Sequence, residues 1–124
     1  MDAFFNGFMA LTDPGLIALL IAATFGGVII GALPGLNATT GAALLLPFTL
    51  TMQPVAAISI LTAIYCSATF AGAITAILIN TPGTSASATT CLDGYPMALR
   101  GEAGRALGLA VVSSTIGGVF SVVV

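Results

Sequence analysis

The feature that most limits how this chain can fold is the stretch between Asp13 and Asp93, which contains no charged residue. The whole chain of 124 residues has two basic and four acidic residues, and 58% of it is hydrophobic. Since a soluble domain carries roughly 25% charged residues, this composition leaves too little polar surface to face water. The sequence therefore predicts an all-α integral membrane protein.

Three apolar runs are long enough to cross a bilayer, at residues 16–33, 55–79 and 106–124. The first would span about 27 Å as a helix, close to the thickness of a hydrocarbon core. Residues 1–13 show an amphipathic pattern without the basic start of a secretory signal, so we expect an uncleaved interfacial segment. The third run continues to the last residue with no polar cap, which favours a piece of a longer protein.

Two polar interruptions, at residues 34–50 and 80–92, follow the first two apolar runs. Each contains a proline-glycine pair, Pro34-Gly35 or Pro82-Gly83, at the point where the preceding helix should end. The apolar run within 34–50 is too short for a full crossing, so it predicts a re-entrant segment or, alternatively, the completion of a kinked longer helix. Such broken backbone must be buried in protein or line a wet cavity, because lipid cannot satisfy its polar groups.

Hydroxyl and amide side chains follow both proline-glycine pairs and make these segments a candidate substrate-binding site. The residues concerned are Pro34, Gly35, Asn37, Pro82, Gly83, Thr84, Ser85 and Ser87. Each interruption can start a new helix, whose first amide N–H groups lack partners and whose dipole favours an anion. Broken helices that point their N-termini at a substrate carboxylate are a recurrent device of transporters. The alternative is that these residues only cap helices and pack closely.

Charge and residue usage argue against several other functions. The net charge of −2, with no basic patch, argues against nucleic-acid binding. The chain has no His, and Cys66 and Cys91 lack metal-binding spacing, so we expect no metal centre and no bound cofactor beyond a coupling ion. A nucleophile at Ser85 or Ser87 would need a positioned base and has no G-x-S-x-G context, so we do not expect an enzyme.

Asp93 allows two interpretations. Followed by Gly94, it fits a turn at the membrane interface, which we favour. An acid at a membrane boundary could instead bind a coupling proton or sodium ion. Arg100 and Arg105 are the only cations, and cytoplasmic loops are enriched in such residues, so we place residues 93–105 on the cytoplasmic side.

Four strings along the chain resemble one known family. They are GALPGL (31–36), NTPGTSAS (80–87), DGYPM (93–97) and GEAGRALG (101–108). In this order they are similar to the large membrane subunit of the tripartite tricarboxylate transporters. The resemblance implies the N-terminal part of a larger transporter fold, a multi-pass protein of the bacterial inner membrane. It also makes Pro34-Gly35 and Pro82-Gly83 candidate substrate contacts.

The same resemblance implies a function and a set of partners. The family's large subunit works with a small membrane subunit and a periplasmic solute-binding protein that delivers carboxylates such as citrate, and a proton or sodium gradient is thought to drive uptake. We therefore interpret the chain as part of an ion-coupled secondary transporter for tricarboxylates or related carboxylates, set in the lipid bilayer. The alternative is a structural or assembly subunit without its own substrate site.

Overall fold

The computed structural model describes residues 2–124, and the elements it forms in that range are all helical. The helices are α1 (Asp2–Leu11), α2 (Pro14–Gly31), α3 (Ala38–Thr49), α4 (Pro54–Ile79), α5 (Ala88–Leu99) and α6 (Ala103–Val123), with a 3₁₀ turn at Ser85–Ser87. Helices α2, α4 and α6 are each long and apolar enough to cross a membrane. The predicted all-α class with three such helices is confirmed. Met1, where the predicted interfacial segment begins, lies outside the described residues.

Helix α2 starts and stops where local backbone chemistry allows. The Asp13 carboxylate accepts a hydrogen bond from the Gly15 amide at 3.4 Å, and Pro14 occupies the first helical position. The helix ends at Gly31, two residues before the predicted end at Leu33, because residues 33–36 form a tight turn. In this turn the Leu36 amide donates to the Leu33 carbonyl at 3.1 Å, and Gly35 has a φ of +95°. Proline followed by a left-handed glycine is the pattern of a type II turn.

Helix α3 is separate from α2 and folds back beside it. A Cβ on Gly41 would lie 3.2 Å from Ile30 Cγ2, although these residues would be about 16 Å apart along one continuous helix. The alternative of one kinked longer helix is therefore wrong. Pro47 does not end α3 but lies inside it, where it removes a single helical hydrogen bond. A re-entrant path through the bilayer for residues 34–50 remains a prediction.

Helix α4 is the centre of the fold, and α2 packs along it in the same direction. Ala23 packs in a buried cluster with Ile60 and Ile64, and further along α2 the backbone of Gly31 meets Ala68. Helix α3 runs the opposite way, since Gly41 lies near Ile64 while the later residues Leu45 and Met52 pack around the Ile60 cluster. Glycine at the α2–α4 contact lets the two backbones approach closely.

The chain folds back on itself after α4. Asn80 ends that helix in the left-handed conformation, with a φ of 56°, which asparagine tolerates better than most residues. The following segment returns along α4 until Gly83 reaches Gly72, whose Cα would lie 2.8 Å from a Cβ at residue 83. Helix α5 then runs back in the direction of α4, so that Gly94 packs against Ile77. Residues 80–99 therefore first run back along α4 without helical structure and then reverse to run parallel to α4 as a helix.

One predicted turn and two predicted boundaries differ from the structure in this region. The turn predicted at Asp93-Gly94 is wrong, because both residues lie inside α5. Gly94 serves close packing instead, since a Cβ there would lie 2.7 Å from Ile77 Cγ1. Helical structure already begins at Ser85, so the non-helical part of the predicted interruption 80–92 is limited to its first residues. Helix α6 starts at Ala103, three residues before the predicted 106–124 run.

Candidate functional site

The two interruptions of the chain meet at one cavity beside α4. Its volume is about 480 Å³, and it is open on one side. Its walls come from the start of α3, the segment before α5 and one face of α4: Asn37, Ala38, Thr39, Tyr65, Thr69, Pro82, Gly83, Thr84, Ser85, Ala86 and Ala88. Since α3 runs against α4 and α5 runs with it, the two helix N-termini face each other across this cavity.

The start of α3 supplies free amide donors to the cavity. The Asn37 side-chain oxygen caps the helix, accepting from the Thr40 amide at 2.8 Å and from the Thr40 hydroxyl at 2.9 Å. The Gly41 amide donates to the Asn37 carbonyl at 3.1 Å. Within the described chain this leaves the amides of Ala38 and Thr39 without a partner, as expected for the first turn of a helix. The Asn37 NH₂ group adds two further donors.

The segment before α5 is also capped by side chains and also leaves two backbone amides unpaired. The Thr84 hydroxyl accepts from the Ser87 amide at 3.3 Å, while the Ser87 hydroxyl accepts from the Thr84 amide at 3.0 Å and donates to the Thr84 carbonyl at 2.8 Å. This reciprocal capping box fixes the turn. It leaves the amides of Ser85 and Ala86 unpaired within residues 2–124, and both residues line the cavity.

Helix α4 forms the third wall through Tyr65 and Thr69, which the sequence analysis did not select. They lie one helical turn apart and so share a face. The Thr69 hydroxyl donates to the Tyr65 carbonyl at 2.7 Å, and the Tyr65 side chain is 52% exposed. The sequence did contain a signal for these two residues, since Tyr65 precedes Thr69 by one helical turn in a helix without charges. The Tyr hydroxyl needs a hydrogen-bond partner that lipid cannot provide.

The structure brings together five of the eight predicted site residues: Asn37, Pro82, Gly83, Thr84 and Ser85. Pro34 and Gly35 do not line the cavity and instead shape the turn that leads into α3. Ser87 also lies outside it, because its side chain is buried and its hydroxyl is fully used in the capping box. Ser85 is exposed to the cavity.

The electrostatics of the cavity favour an anion. None of its lining residues carries a formal charge. Four residues with unpaired amides, Ala38, Thr39, Ser85 and Ala86, line it at two helix N-termini, and each N-terminus acts as a partial positive charge of about half a unit. This arrangement can bind a carboxylate through backbone groups, without a cationic side chain. Among residues 2–124 no group of three His, Cys, Asp or Glu side chains could hold a metal ion.

Comparison with known proteins identifies the family. Residues 17–124 match the family described as the tripartite tricarboxylate transporter TctA family. An Agrobacterium vitis protein, described as an uncharacterized 52.8 kDa protein in the TAR-I ttuC' 3' region, is 42% identical over 121 residues. The aligned part covers 95% of this chain and 24% of that relative, so the chain spans about a quarter of the relative's length. No solved structure matches the chain. Because the family match covers nearly all of its length, the chain belongs to the tripartite tricarboxylate transporter TctA family.

Proposed function

We propose that this chain provides half of a carboxylate-binding site in the large membrane subunit of an ion-coupled secondary transporter. The transporter takes up tricarboxylates or related carboxylates across the bacterial inner membrane. A periplasmic solute-binding protein delivers the substrate, and a small membrane subunit completes the complex. The observation that carries this proposal is the cavity in which the first turns of α3 and of the Ser85–Leu99 segment face each other.

The depth of the cavity supports a transport role. Gly83 and Gly31 meet the backbone of α4 at Ala68 to Gly72. Gly72 lies seven residues before the C-terminal end of α4 at Ile79, or about 10 Å from it at a rise of 1.5 Å per residue. If α4 crosses the bilayer, both interruptions lie inside the hydrocarbon region. Polar broken backbone at that depth is tolerated where it lines a hydrated cavity, which is the setting of a transporter site.

Energetics indicate that the other half of the site lies elsewhere in the protein. A helix N-terminus stabilises an anion by about 0.3–1 kcal/mol, and by about 2 kcal/mol in partly buried geometry. The dipoles of two helix N-termini therefore supply up to about 4 kcal/mol before direct hydrogen bonds are counted. A micromolar dissociation constant corresponds to about 8 kcal/mol. For affinity of that order, side chains and helix ends outside residues 2–124 would contribute as well, so the transporting unit of this proposal is the full-length subunit.

Replacing Ser85 by leucine tests the site. The larger apolar side chain would fill the cavity and cover the Ser85 and Ala86 amides, and we expect citrate binding to weaken by about tenfold or more, the equivalent of about 1.4 kcal/mol. The measurement is binding of radiolabelled citrate and other carboxylates to purified full-length subunit in nanodiscs. Folding is checked by size-exclusion chromatography and thermal unfolding.

Ser59→Leu is the matched control for this substitution. Ser59 lies in the apolar helix α4, is half-buried, and donates its hydroxyl proton to the Val55 carbonyl at 2.7 Å, but it is near the N-terminal end of α4, away from the cavity. We expect citrate affinity to be unchanged in this variant. Equal citrate affinity in Ser85→Leu and wild type would remove the carboxylate site and favour a structural or assembly role for this part of the subunit.

A further inference from the structure

Two further cavities continue from the carboxylate cavity, the one lined by Asn37 and Ser85. The middle cavity has a volume of about 480 Å³ and has part of its wall in common with the carboxylate cavity. The residues shared by these two are Tyr65, Thr69, Thr84 and Ala86. The far cavity, of about 450 Å³, shares Ala73, Thr90 and Ser114 with the middle one. Because neighbouring cavities have walls in common, the three form one crevice along α4, α5 and α6.

The crevice leads from the middle of α4 to the connection between α5 and α6. Its middle part lies beside Cys66 on α4 and Gly118 on α6, and its far part reaches Met97 on α5 and Ala106 on α6. Ala106 is buried, whereas α6 is exposed from Val111 onwards. Helix α6 therefore packs against α4 and α5 at its first turns and leaves the crevice open beside its later turns.

The hydroxyl groups along the crevice differ from the other hydroxyls of the chain. A Ser or Thr hydroxyl in a helix commonly donates to the carbonyl four residues earlier. Those that do so on exposed or half-buried faces here include Thr24, Ser59, Thr62, Ser113 and Thr115. In residues 2–124 the Ser and Thr hydroxyls without any protein partner are those of Thr39, Ser85, Thr90, Ser114 and Ser121. The first four of these residues line the crevice.

Hydroxyls without a protein partner indicate that the crevice is hydrated. Such a group is costly to place in an apolar medium, and lipid offers it no hydrogen bond. Water on the walls at Thr90 and Ser114 would satisfy both hydroxyls and would also let a polar solute pass. The middle cavity has no charged residue on its wall, and the exposed Asp93 lines the far one. Its negative charge repels an anion, which suits release at that end better than binding.

We propose that this crevice is the route by which the carboxylate leaves its binding site on the cytoplasmic side. The proposal rests on the transport function proposed above and on the predicted cytoplasmic position of residues 93–105. It adds that α6 forms one wall of the route, so that the small residues on its inner face keep the passage wide. Ser114 and Gly118 are those residues beside the middle cavity.

The two cysteines of the chain test the route, because Cys66 is on its wall and Cys91 is not. Cys66 is exposed and lines the middle cavity, whereas Cys91 is half-buried and lines none of the three cavities. The full-length subunit is prepared with Cys66 or Cys91 as its single cysteine. Inside-out membrane vesicles are then treated with the anionic, membrane-impermeant thiol reagent MTSES, and the remaining free thiol is quantified by a mass-tag gel shift.

We expect Cys66 to react at least about tenfold faster than Cys91, because the thiolate is the reacting species and apolar surroundings disfavour it. Bound citrate should slow the reaction at Cys66 and leave that at Cys91 unchanged. A Cys66 that reacts no faster than Cys91 overturns the proposal, since the crevice is then closed by lipid or by another part of the subunit. Reaction of Cys66 from the periplasmic face alone, in intact cells, overturns it as well.

Ser114→Trp tests the same route by filling it. Ser114 lines the middle and far cavities but not the carboxylate cavity. We expect unchanged citrate binding, which also shows that the variant is folded, and citrate uptake by the complete transporter that is slower by about tenfold or more. Thr115→Trp is the matched control, because this exposed neighbour on α6 lines none of the three cavities. It should keep wild-type binding and uptake.

The outcomes separate this route from the binding site that it serves. Wild-type uptake in Ser114→Trp overturns the route. If that variant loses citrate binding, the measurement on Cys66 decides, because it does not depend on the substitution. A wild-type subunit that binds citrate while its Cys66 is unreactive fails the route alone. A wild-type subunit that binds no citrate fails the proposed carboxylate site.

Discussion

Alanine in place of Gly31 is expected to separate α2 from α4 and to destabilise the protein by about 3 kcal/mol, the upper end of the usual cost of overpacking. The added Cβ would overlap the Ala68 carbonyl oxygen and would lie 2.6 Å from the Ala68 Cα. Both obstacles are backbone atoms, so no side-chain rotation can relieve the clash. In a bilayer, helix association depends on such close packing, because lipid gives little hydrophobic drive between helices.

Gly26→Ala is the matched control, since Gly26 lies on the same helix and a Cβ there would meet nothing within 4 Å. In the middle of a helix this substitution should be neutral or stabilising, by up to about 1 kcal/mol. Thermal unfolding of both variants of the full-length subunit in detergent measures the difference. Equal stability of Gly31→Ala and Gly26→Ala would contradict the close α2–α4 contact.

Gly83→Ala is expected to weaken carboxylate binding strongly and to lower stability less. A Cβ at residue 83 would lie 2.8 Å from the Gly72 Cα and 3.2 Å from the Gly31 carbonyl oxygen. The segment before α5 would have to move away from α4 and carry Thr84 and Ser85 with it. Because hydrogen bonds weaken steeply with small errors in distance and angle, we expect citrate affinity to fall by about a hundredfold, or about 2.7 kcal/mol.

Gly104→Ala gives the comparison for this second substitution. Gly104 lies in the first turn of α6, and a Cβ there would meet nothing within 4 Å. We expect wild-type citrate affinity in this variant. Citrate binding of Gly83→Ala is measured in nanodiscs together with its unfolding temperature. Wild-type affinity in Gly83→Ala would show that the close approach of the two interruptions to α4 is not needed for the site.

Much of the candidate site could be predicted from local chemistry. Pro34-Gly35 and Pro82-Gly83 interrupt apolar runs, and each is followed by capping side chains, so a helix start after each pair follows from the sequence alone. The caps are present as Asn37 and Thr84. Tyr65 was missed because its contribution depends on which face of α4 the two helix starts approach. That face is decided by packing, and the scattered hydroxyls of α4 do not indicate it.

Asp93 shows the opposite case, in which a real turn preference of the dipeptide led to a wrong structural prediction. Aspartate followed by glycine favours a turn, yet α5 continues through both residues to Leu99. Here Gly94 lets α5 approach Ile77 on α4, and this tertiary contact outweighs the turn preference of the dipeptide. As part of a helix, Asp93 lines a cavity together with Ser113 and Ser114.

The sequence by itself determined the membrane class, the three long helices and the two places where helices break and restart. These follow from composition and from proline, glycine and capping residues, whose effects act within a few residues along the chain. Only the tertiary structure decided that the two restarted helices have their N-termini at one cavity and that Gly83, on its wall, meets Gly31 and Gly72. That arrangement depends on the direction in which each segment returns along α4. Helix direction is set by close packing between residues far apart in sequence, which no local pattern encodes.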